Sequence, residues 1–212
     1  MPIALIDYGA GNLTSVRKAF AAVGADLFVP TTPAEVEDAT AVVVPGVGHF
    51  GATRALGADW VSAILARVGE GRPLLGICLG MQWLFEGSEE APDCAGLGLL
   101  AGQCYRLHPS TPSGQGASDA AERIKIPHVG WNAIELRRDA SIVEGVPSGA
   151  QVYFTHSFAA PVTAEAAATC EHGAVFAAAI ESDNIFGVQF HPEKSSGPGL
   201  QILRNFAAMA RG

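Results

Sequence analysis

Short apolar runs alternate with longer amphipathic segments over the first 85 residues of the chain. These runs are residues 3–6, 26–29, 41–44 and 73–77, the second of which opens with Asp26. Runs of this kind are typical of strands that are buried on both faces of a parallel sheet. We therefore predict four parallel strands in this part of the chain, joined by helices that cover the sheet.

The segments between the strands carry helix signals. Asn12 is a favourable N-cap residue for a first helix, and Gly24 suits the position that ends it. A second helix has Trp60 and Ile64 on its apolar face, and a closing helix is expected over residues 198–209. Because parallel crossovers are right-handed, the loops that follow the strands should meet at one edge of the sheet.

The alternation of strands and helices stops after residue 85. Extended segments are predicted at residues 96–107, 133–136, 151–158, 174–180 and 185–190, and the last two read as a hairpin turning at residues 182–184. Residues 109–121 are rich in Ser, Pro, Gly and Ala and predict a mobile surface loop. The expected fold is α/β, with an open, mostly parallel sheet flanked by helices and a more antiparallel second half.

Composition favours one domain over residues 1–212. Hydrophobic residues make up 49% of the 212 residues, which is enough for a single large core. The net charge of −8 and the lack of a Lys/Arg cluster exclude nucleic acid or an anionic membrane as the main partner. No apolar run reaches the roughly 18 residues of a membrane span.

The cysteine pattern favours a reducing compartment. The four cysteines form no CxxC pair, so we expect a cytoplasmic protein without structural disulfides. We also expect no metal and no cofactor.

Cys78 is the strongest candidate for chemistry. It follows a buried strand, precedes a helix and lies between Gly76 and Gly80, which is the sequence form of a nucleophile elbow with Cys in place of Ser. A helix N-terminus favours the thiolate form of such a cysteine. The alternative for this segment alone is a buried structural cysteine.

Two other strand ends carry groups that would complete such a site. Gly46 and Gly48 leave backbone N–H groups free to approach a ligand, as an oxyanion hole requires, although an ordinary turn would look the same. His191 and Glu193 end the last strand, where the carboxylate could orient the imidazole and the imidazole could take a proton from Cys78. Taken singly, His191 and Glu193 could instead be a core histidine and a solvated charge.

Several segments resemble a known family. GICLGMQ at residues 76–82 and VQFHPEK at residues 188–194 are similar to the two signatures of class I, triad-type glutamine amidotransferases. Within that class, DYGAGN (7–12), PGVG (45–48), IPHVGWN (126–132) and YFTHS (153–157) resemble the glutaminase subunits of imidazole glycerol phosphate synthases. The match runs from residue 7 to residue 196, with small departures at His49 and Phe158.

The resemblance implies glutamine hydrolysis by a triad of Cys78, His191 and Glu193. Cys78 would attack the side-chain amide, His191 would shuttle the proton, and water would release glutamate from the thioester. The implied oxyanion donors are the backbone N–H groups of Leu79 and of Gly46, Val47 and Gly48, and the latter group must reorient before it can serve. The residues implied to hold glutamine are Gln82, His156, Ser157 and Phe158.

The resemblance also implies a partner. Ammonia would pass to a (β/α)8-barrel cyclase subunit that makes imidazole glycerol phosphate and aminoimidazole carboxamide ribotide in histidine biosynthesis. The implied interface residues are Asn12, Trp131, Tyr153 and Lys194. Judged without the family, Trp131 reads as a core aromatic and Lys194 as a solvated charge.

Two other functions stay open at this point. The chain could be the glutaminase subunit of another amidotransferase, of the anthranilate or aminodeoxychorismate synthase type. It could also be a non-catalytic binding protein that has kept the fold.

Overall fold

The computed structural model describes residues 2–108 and 124–211. Within these ranges the strands are β1 (Ile3–Leu5), β2 (Leu27–Phe28), β3 (Val42–Val44), β4 (Leu74–Ile77), β5 (Gly87–Ser88), β6 (Gln103–Arg106), β7 (His128–Leu136), β8 (Ala150–His156), β9 (Phe158–Ala159), β10 (Ala166–Glu171), β11 (Val175–Ser182) and β12 (Ile185–Val188). The helices are α1 (Leu13–Ala22), α2 (Ala58–Gly69), α3 (Leu79–Trp83) and α4 (Ser196–Met209). Short 3-10 turns span Pro33–Asp38, Phe50–Ala55, Ser141–Val143 and Pro192–Lys194.

A nine-stranded sheet forms the centre of the molecule, in the order β2-β1-β3-β4-β12-β11-β10-β7-β8. Its first five strands are parallel, and every pair from β12 to β8 is antiparallel. A second, three-stranded sheet joins β5, β6 and β9. The predicted α/β class, with a parallel first half and an antiparallel second half, is confirmed.

Apolar layers cover both faces of the parallel strands. On one face, Phe20 of α1 and Phe206 of α4 meet edge to face with ring centres 6.3 Å apart, over Leu75 of β4. On the other face, Ile64 of α2 packs in the same cluster as Leu74. Neighbouring residues of β4 thus point into opposite cores, which is why this strand is an unbroken apolar run.

The second half differs from prediction in two places. Strand β7 begins at His128, five residues before the predicted start, because Pro127 and Gly130 interrupt the apolar alternation on which the prediction depended. Strand β10 was not predicted, since half of its sequence AAATCE is alanine, a residue with weak strand preference. The predicted loop at residues 109–121 lies outside the described residues.

The helices were also checked for a possible membrane span. Within residues 2–108 and 124–211, none of them combines the length and the apolar character that crossing a bilayer requires.

The turn between β4 and α3 depends on two glycines. A Cβ atom on Gly80 would overlap the backbone carbonyl oxygen of Val44, and one on Gly76 would lie 2.5 Å from the carbonyl oxygen of Gly80. Both obstacles are backbone atoms, which cannot rotate away as a side chain can. Gly80 therefore lets α3 pack directly on strand β3, and Gly76 lets α3 fold back tightly on β4.

We expect Gly80→Ala to destabilise the protein by about 2 kcal/mol or more, because the methyl group forces β3 and α3 apart. Gly69→Ala is the matched control, since a Cβ at Gly69 meets nothing within 4 Å and alanine is the better helix former. Urea denaturation of both variants measures the difference. Equal stability of the two would show that the elbow does not need a bare backbone at position 80.

Candidate active site

Cys78 occupies the sharp turn between strand β4 and helix α3. Its backbone has φ 53° and ψ −107°, a region that a non-glycine residue adopts only when its surroundings hold it there. Its N–H donates to the carbonyl oxygen of Val188 on the neighbouring strand at 2.7 Å. This is the strand–turn–helix geometry of a nucleophile elbow.

His191 reaches Cys78 because β12 lies beside β4 in the sheet. Val188 pairs with Ile77 in the parallel register, so the segment that follows β12 starts next to the elbow. The His191 backbone N–H donates to the carbonyl oxygen of Tyr153 at 2.8 Å, which fixes this segment to strand β8. Two main-chain pairings thus set the position of the imidazole.

Glu193 holds the imidazole of His191. Its Oε1 lies 2.8 Å from His191 Nδ1, and each of the two side chains is only 3% exposed. The spacing of His191 and Glu193 predicts that both point to one side of an extended strand, but the structure has a 3-10 turn at Pro192–Lys194. The turn brings the carboxylate back toward the ring and produces the same contact.

The electrostatics of His191 suit proton transfer. Burial disfavours the charged ring, but the interactions with Cys78 and Glu193 outweigh it and raise the pKa of His191 to about 10. Nε2 is buried and has no hydrogen bond of standard geometry among the described residues, so it remains available to Cys78. Both interactions therefore favour the imidazolium form of the ring, which can give up a proton.

The other cysteines have different surroundings. Burial raises the pKa of Cys104 far above its usual range and that of Cys170 to about 12, which suppresses their thiolates. All four cysteines are free thiols. The part of the chain that the structure describes holds no cluster of three or more His, Cys, Asp or Glu side chains that could bind a metal ion.

A cleft of about 220 Å³ opens over the sulfur of Cys78. Its walls are formed by Gly48, Cys78, Leu79, Gln82, Glu90, Pro127, Thr155, His156, Ser157 and Phe158. The cleft thus brings together the candidate nucleophile, two of the oxyanion candidates and all four residues expected to hold glutamine. Gly46 and Val47 do not line it.

Sequence reasoning missed Glu90, Pro127 and Thr155 as parts of the cleft. Glu90 lies in an acidic turn that looks like solvated surface, yet its Oε2 accepts a hydrogen bond from the N–H of Phe50 at 2.6 Å. That contact joins two loops that are 40 residues apart in the chain, so no local pattern could have revealed it.

The oxyanion candidates are in mutual contact. The Leu79 N–H donates to the carbonyl oxygen of Gly46 at 3.4 Å, so this donor already has an acceptor. Gly48 has φ +113°, which glycine adopts without strain. A change in the peptide orientation at residues 46–48 would free the Leu79 N–H and could turn another N–H toward the cleft.

Two neutral histidines support the far wall. His156 Nδ1 lies 2.9 Å from the carbonyl oxygen of Phe158, and His128 Nδ1 lies 3.1 Å from His156 Nε2. Burial is the main reason why the pKa of His128 falls to about 3 and that of His156 to about 4, with repulsion from neighbouring histidines adding to it. The wall at residues 156–158 is therefore held by uncharged rings in fixed tautomers.

The four interface candidates lie on the surface. Trp131 is 52% exposed, so its interpretation as a core aromatic is wrong. The rings of Trp131 and Tyr153 meet edge to face with centroids 6.1 Å apart, and Lys194 Nζ lies 5.6 Å from the centroid of the Tyr153 ring. We call Trp131, Tyr153 and Lys194 the docking patch. Asn12 is exposed and caps α1, because its Oδ1 accepts from the Ser15 N–H at 3.1 Å.

We expect the stability of the protein to fall as the pH is lowered from 7.0 to 5.5. The unfolded histidines take up protons below about pH 6.5, whereas folded His128 and His156 stay neutral down to about pH 4. The contribution of His191 has the opposite sign, being complete below pH 6.5 and lost as the pH rises through 10. Between pH 7.0 and about 6.5 His191 therefore offsets part of the loss from the two neutral histidines, and below that pH it adds nothing further.

Urea titrations at several pH values check this expectation. His156→Gln should reduce the slope of the unfolding free energy against pH. One titrating group contributes at most about 1.4 kcal/mol per pH unit to this slope. His108→Gln, at an exposed position, is the control. Identical slopes for the two variants would contradict the assignment.

Known proteins were compared with this chain. The model of the family "Glutamine amidotransferase class-I" matches residues 4–210. The imidazole glycerol phosphate synthase subunit HisH of Moorella thermoacetica is 44% identical, covering 99% of this chain and 96% of the relative. The same subunit of Syntrophotalea carbinolica is 45% identical, covering 98% and 100%.

Solved structures agree at the level of the fold. The crystal structure of a glutamine amidotransferase superposes with a TM-score of 0.72 at 18% identity, covering 99% of each chain. The glutaminase domain of Trypanosoma brucei CTPS with bound acivicin gives 0.65 at 17% identity, covering 100% of this chain and 94% of that domain. With the family match over residues 4–210 and relatives that are 44–45% identical, this chain belongs to the class I glutamine amidotransferases.

Proposed function

We propose that this protein is the glutaminase subunit of an imidazole glycerol phosphate synthase. It hydrolyses glutamine to glutamate and ammonia and delivers the ammonia to a cyclase subunit in histidine biosynthesis. The observation that carries the proposal is the buried His191–Glu193 pair beside the elbow cysteine, Cys78. The identity of 44–45% to subunits of that name over nearly the whole chain supports it.

The chemistry begins with the sulfur of Cys78. It attacks the side-chain amide carbon of glutamine, and His191 gives its proton to the departing nitrogen, so that ammonia leaves and a thioester forms. His191 then takes a proton from water, whose oxygen attacks the thioester and releases glutamate. Glu193 keeps the ring oriented and stabilises its charged form throughout.

The oxyanion formed in each step needs N–H donors. The donors are the Leu79 N–H and the N–H groups of residues 46–48, once the Gly46 carbonyl has turned away from Leu79. Until then the protein has low basal activity, because loss of one such donor costs about 3 kcal/mol in the transition state. Docking of the partner shifts the loop to the competent arrangement.

The cleft recognises glutamine through its walls. Gln82 is fixed by donating from Nε2 to the carbonyl oxygen of Phe158 at 2.7 Å. The backbone at residues 156–158 faces the substrate beside it. The Glu90 carboxylate is suited to the ammonium group of glutamine, since it is an anion in an otherwise uncharged part of the cleft.

The partner is a (β/α)8-barrel cyclase that covers the docking patch and Asn12. It uses the ammonia to make imidazole glycerol phosphate and aminoimidazole carboxamide ribotide. Strand β7 carries Trp131 of the patch, and Pro127, which lines the cleft, immediately precedes this strand. A docked protein therefore sits at the mouth of the site. The subunit works as one domain in the cytoplasm, where this biosynthesis takes place.

We expect Cys78→Ala to lower glutamine-dependent product formation by the complex about 10³-fold or more, because no other group can form the thioester. Product formation from added ammonium salts should stay at the wild-type level. Cys94→Ala is the matched control, since Cys94 is buried elsewhere in the fold against Thr53. Glutamine-dependent turnover by Cys78→Ala would refute the nucleophile assignment.

Truncation of the docking patch should weaken the complex without unfolding the subunit. We expect Trp131→Ala to raise the dissociation constant of the complex roughly 30-fold. This corresponds to a loss of about 2 kcal/mol of binding free energy, as for other tryptophans at the centre of an interface. Isothermal titration calorimetry with the cyclase measures it. Val162→Ala serves as the control, because Val162 is also an exposed hydrophobic side chain. Unchanged affinity in Trp131→Ala would place the interface elsewhere.

A further inference from the structure

Gln189 is a buried amide side chain that the mechanism above does not use. It directly follows β12 and precedes His191 by two residues, and it is 0% exposed. A buried amide is costly unless its donors and its acceptor find partners. The partners that Gln189 finds are Gln82 and the sulfur of Cys78.

The orientation of this amide is fixed by a carbonyl group. Gln82 Nε2 lies 2.7 Å from the carbonyl oxygen of Phe158, which can only accept, so that atom must be the nitrogen. The same nitrogen lies 3.0 Å from the Gln189 side chain, whose atom at this contact must therefore be the oxygen Oε1. A reversed Gln189 amide would set two donors against each other.

It follows that Nε2 of Gln189 points at the nucleophile. It lies 3.6 Å from Cys78 Sγ, within the range of an N–H···S hydrogen bond. The protonated sulfur has another partner, the carbonyl oxygen of Thr155 at 3.9 Å, to which a thiol can donate. A thiolate cannot donate and only accepts, so the two protonation states of Cys78 prefer different neighbours.

We propose that Gln189 is a catalytic residue that donates a hydrogen bond to the Cys78 thiolate, with Gln82 as the positioning residue that holds it in this orientation. The bond is charge-assisted before the attack on glutamine and weakens when the sulfur becomes a neutral thioester. It forms again when the thiolate leaves in the second step. Gln82 therefore acts on the nucleophile as well as on the wall of the cleft. The proposal rests on the proposed function, because it concerns the same sulfur.

Two variants separate this role from packing. Gln189→Met keeps the length of the side chain but removes the donor. Gln189→Glu keeps an acceptor for Gln82 and sets a negative oxygen against the sulfur, so it decides the question if the methionine variant does not fold. Gln201→Glu is the matched control, since Gln201 bonds to Asn205 and Arg204 within its own helix.

The measurement is the rate of alkylation of Cys78 by iodoacetamide against pH, read by peptide mass spectrometry on the full-length chain. We expect the midpoint of this profile to move up by about one pH unit in Gln189→Met and further in Gln189→Glu, with the control unchanged. In the complex, kcat for glutamine hydrolysis should fall roughly 10- to 100-fold, as for the loss of a hydrogen bond to a charged group, with KM changed less than threefold. Folded variants whose alkylation profiles superimpose on the wild type would overturn the proposal.

Alkylation requires neither glutamine nor a partner. A shifted profile in a protein that never hydrolyses glutamine would leave the assignment of Gln189 standing and refute the proposed function. Normal glutamine hydrolysis together with superimposed alkylation profiles would refute the assignment of Gln189 and leave the proposed function standing.

Discussion

The site depends on one constraint, the close approach of the elbow backbone to strand β3. Cys78 has a positive φ, and Gly80 lies so close to Val44 that no side chain fits between them. The parallel pairing of Ile77 with Val188 then sets the distance between the elbow and the segment that carries His191. Because each of these contacts is made by main-chain atoms, they fix the backbone positions of Cys78 and His191, whereas the Glu193 side chain orients the imidazole.

Histidines of opposite character lie close to the cleft: His156 lines it, His128 contacts His156, and His191 interacts with Cys78. The surroundings of His191 favour its charged form, because the sulfur of Cys78 and the Glu193 carboxylate more than compensate for its burial. His128 and His156 lack such partners, and burial leaves them neutral. In the proposed mechanism the ring of His191 moves protons, whereas the neutral pair supports the wall at residues 156–158. All three imidazoles are nearly inaccessible to solvent, and His191 is the one whose surroundings favour the charged form.

The features that could be predicted from the sequence are those encoded by residues close together in the chain. The parallel strands appear as apolar runs, and the elbow at Cys78 appears as a reactive residue between glycines, so both could be inferred from sequence. The cleft contacts of Glu90 and the orientation of Gln189 depend on residues 40 or more positions away, and no spacing reveals them. Trp131 was misjudged by composition alone, because an aromatic in a strand can face either side. The family resemblance implied a place at a partner interface, which stays a prediction, and the side chain is 52% exposed.

The claim that Cys78 is the nucleophile of a glutaminase is tested most directly by covalent labelling with a diazo-ketone analogue of glutamine. The experiment uses the complex with the cyclase and mass spectrometry of all four cysteines. The account predicts one adduct per chain, on Cys78, and protection by excess glutamine. No adduct on Cys78, or adducts shared with Cys94, Cys104 and Cys170, would contradict it.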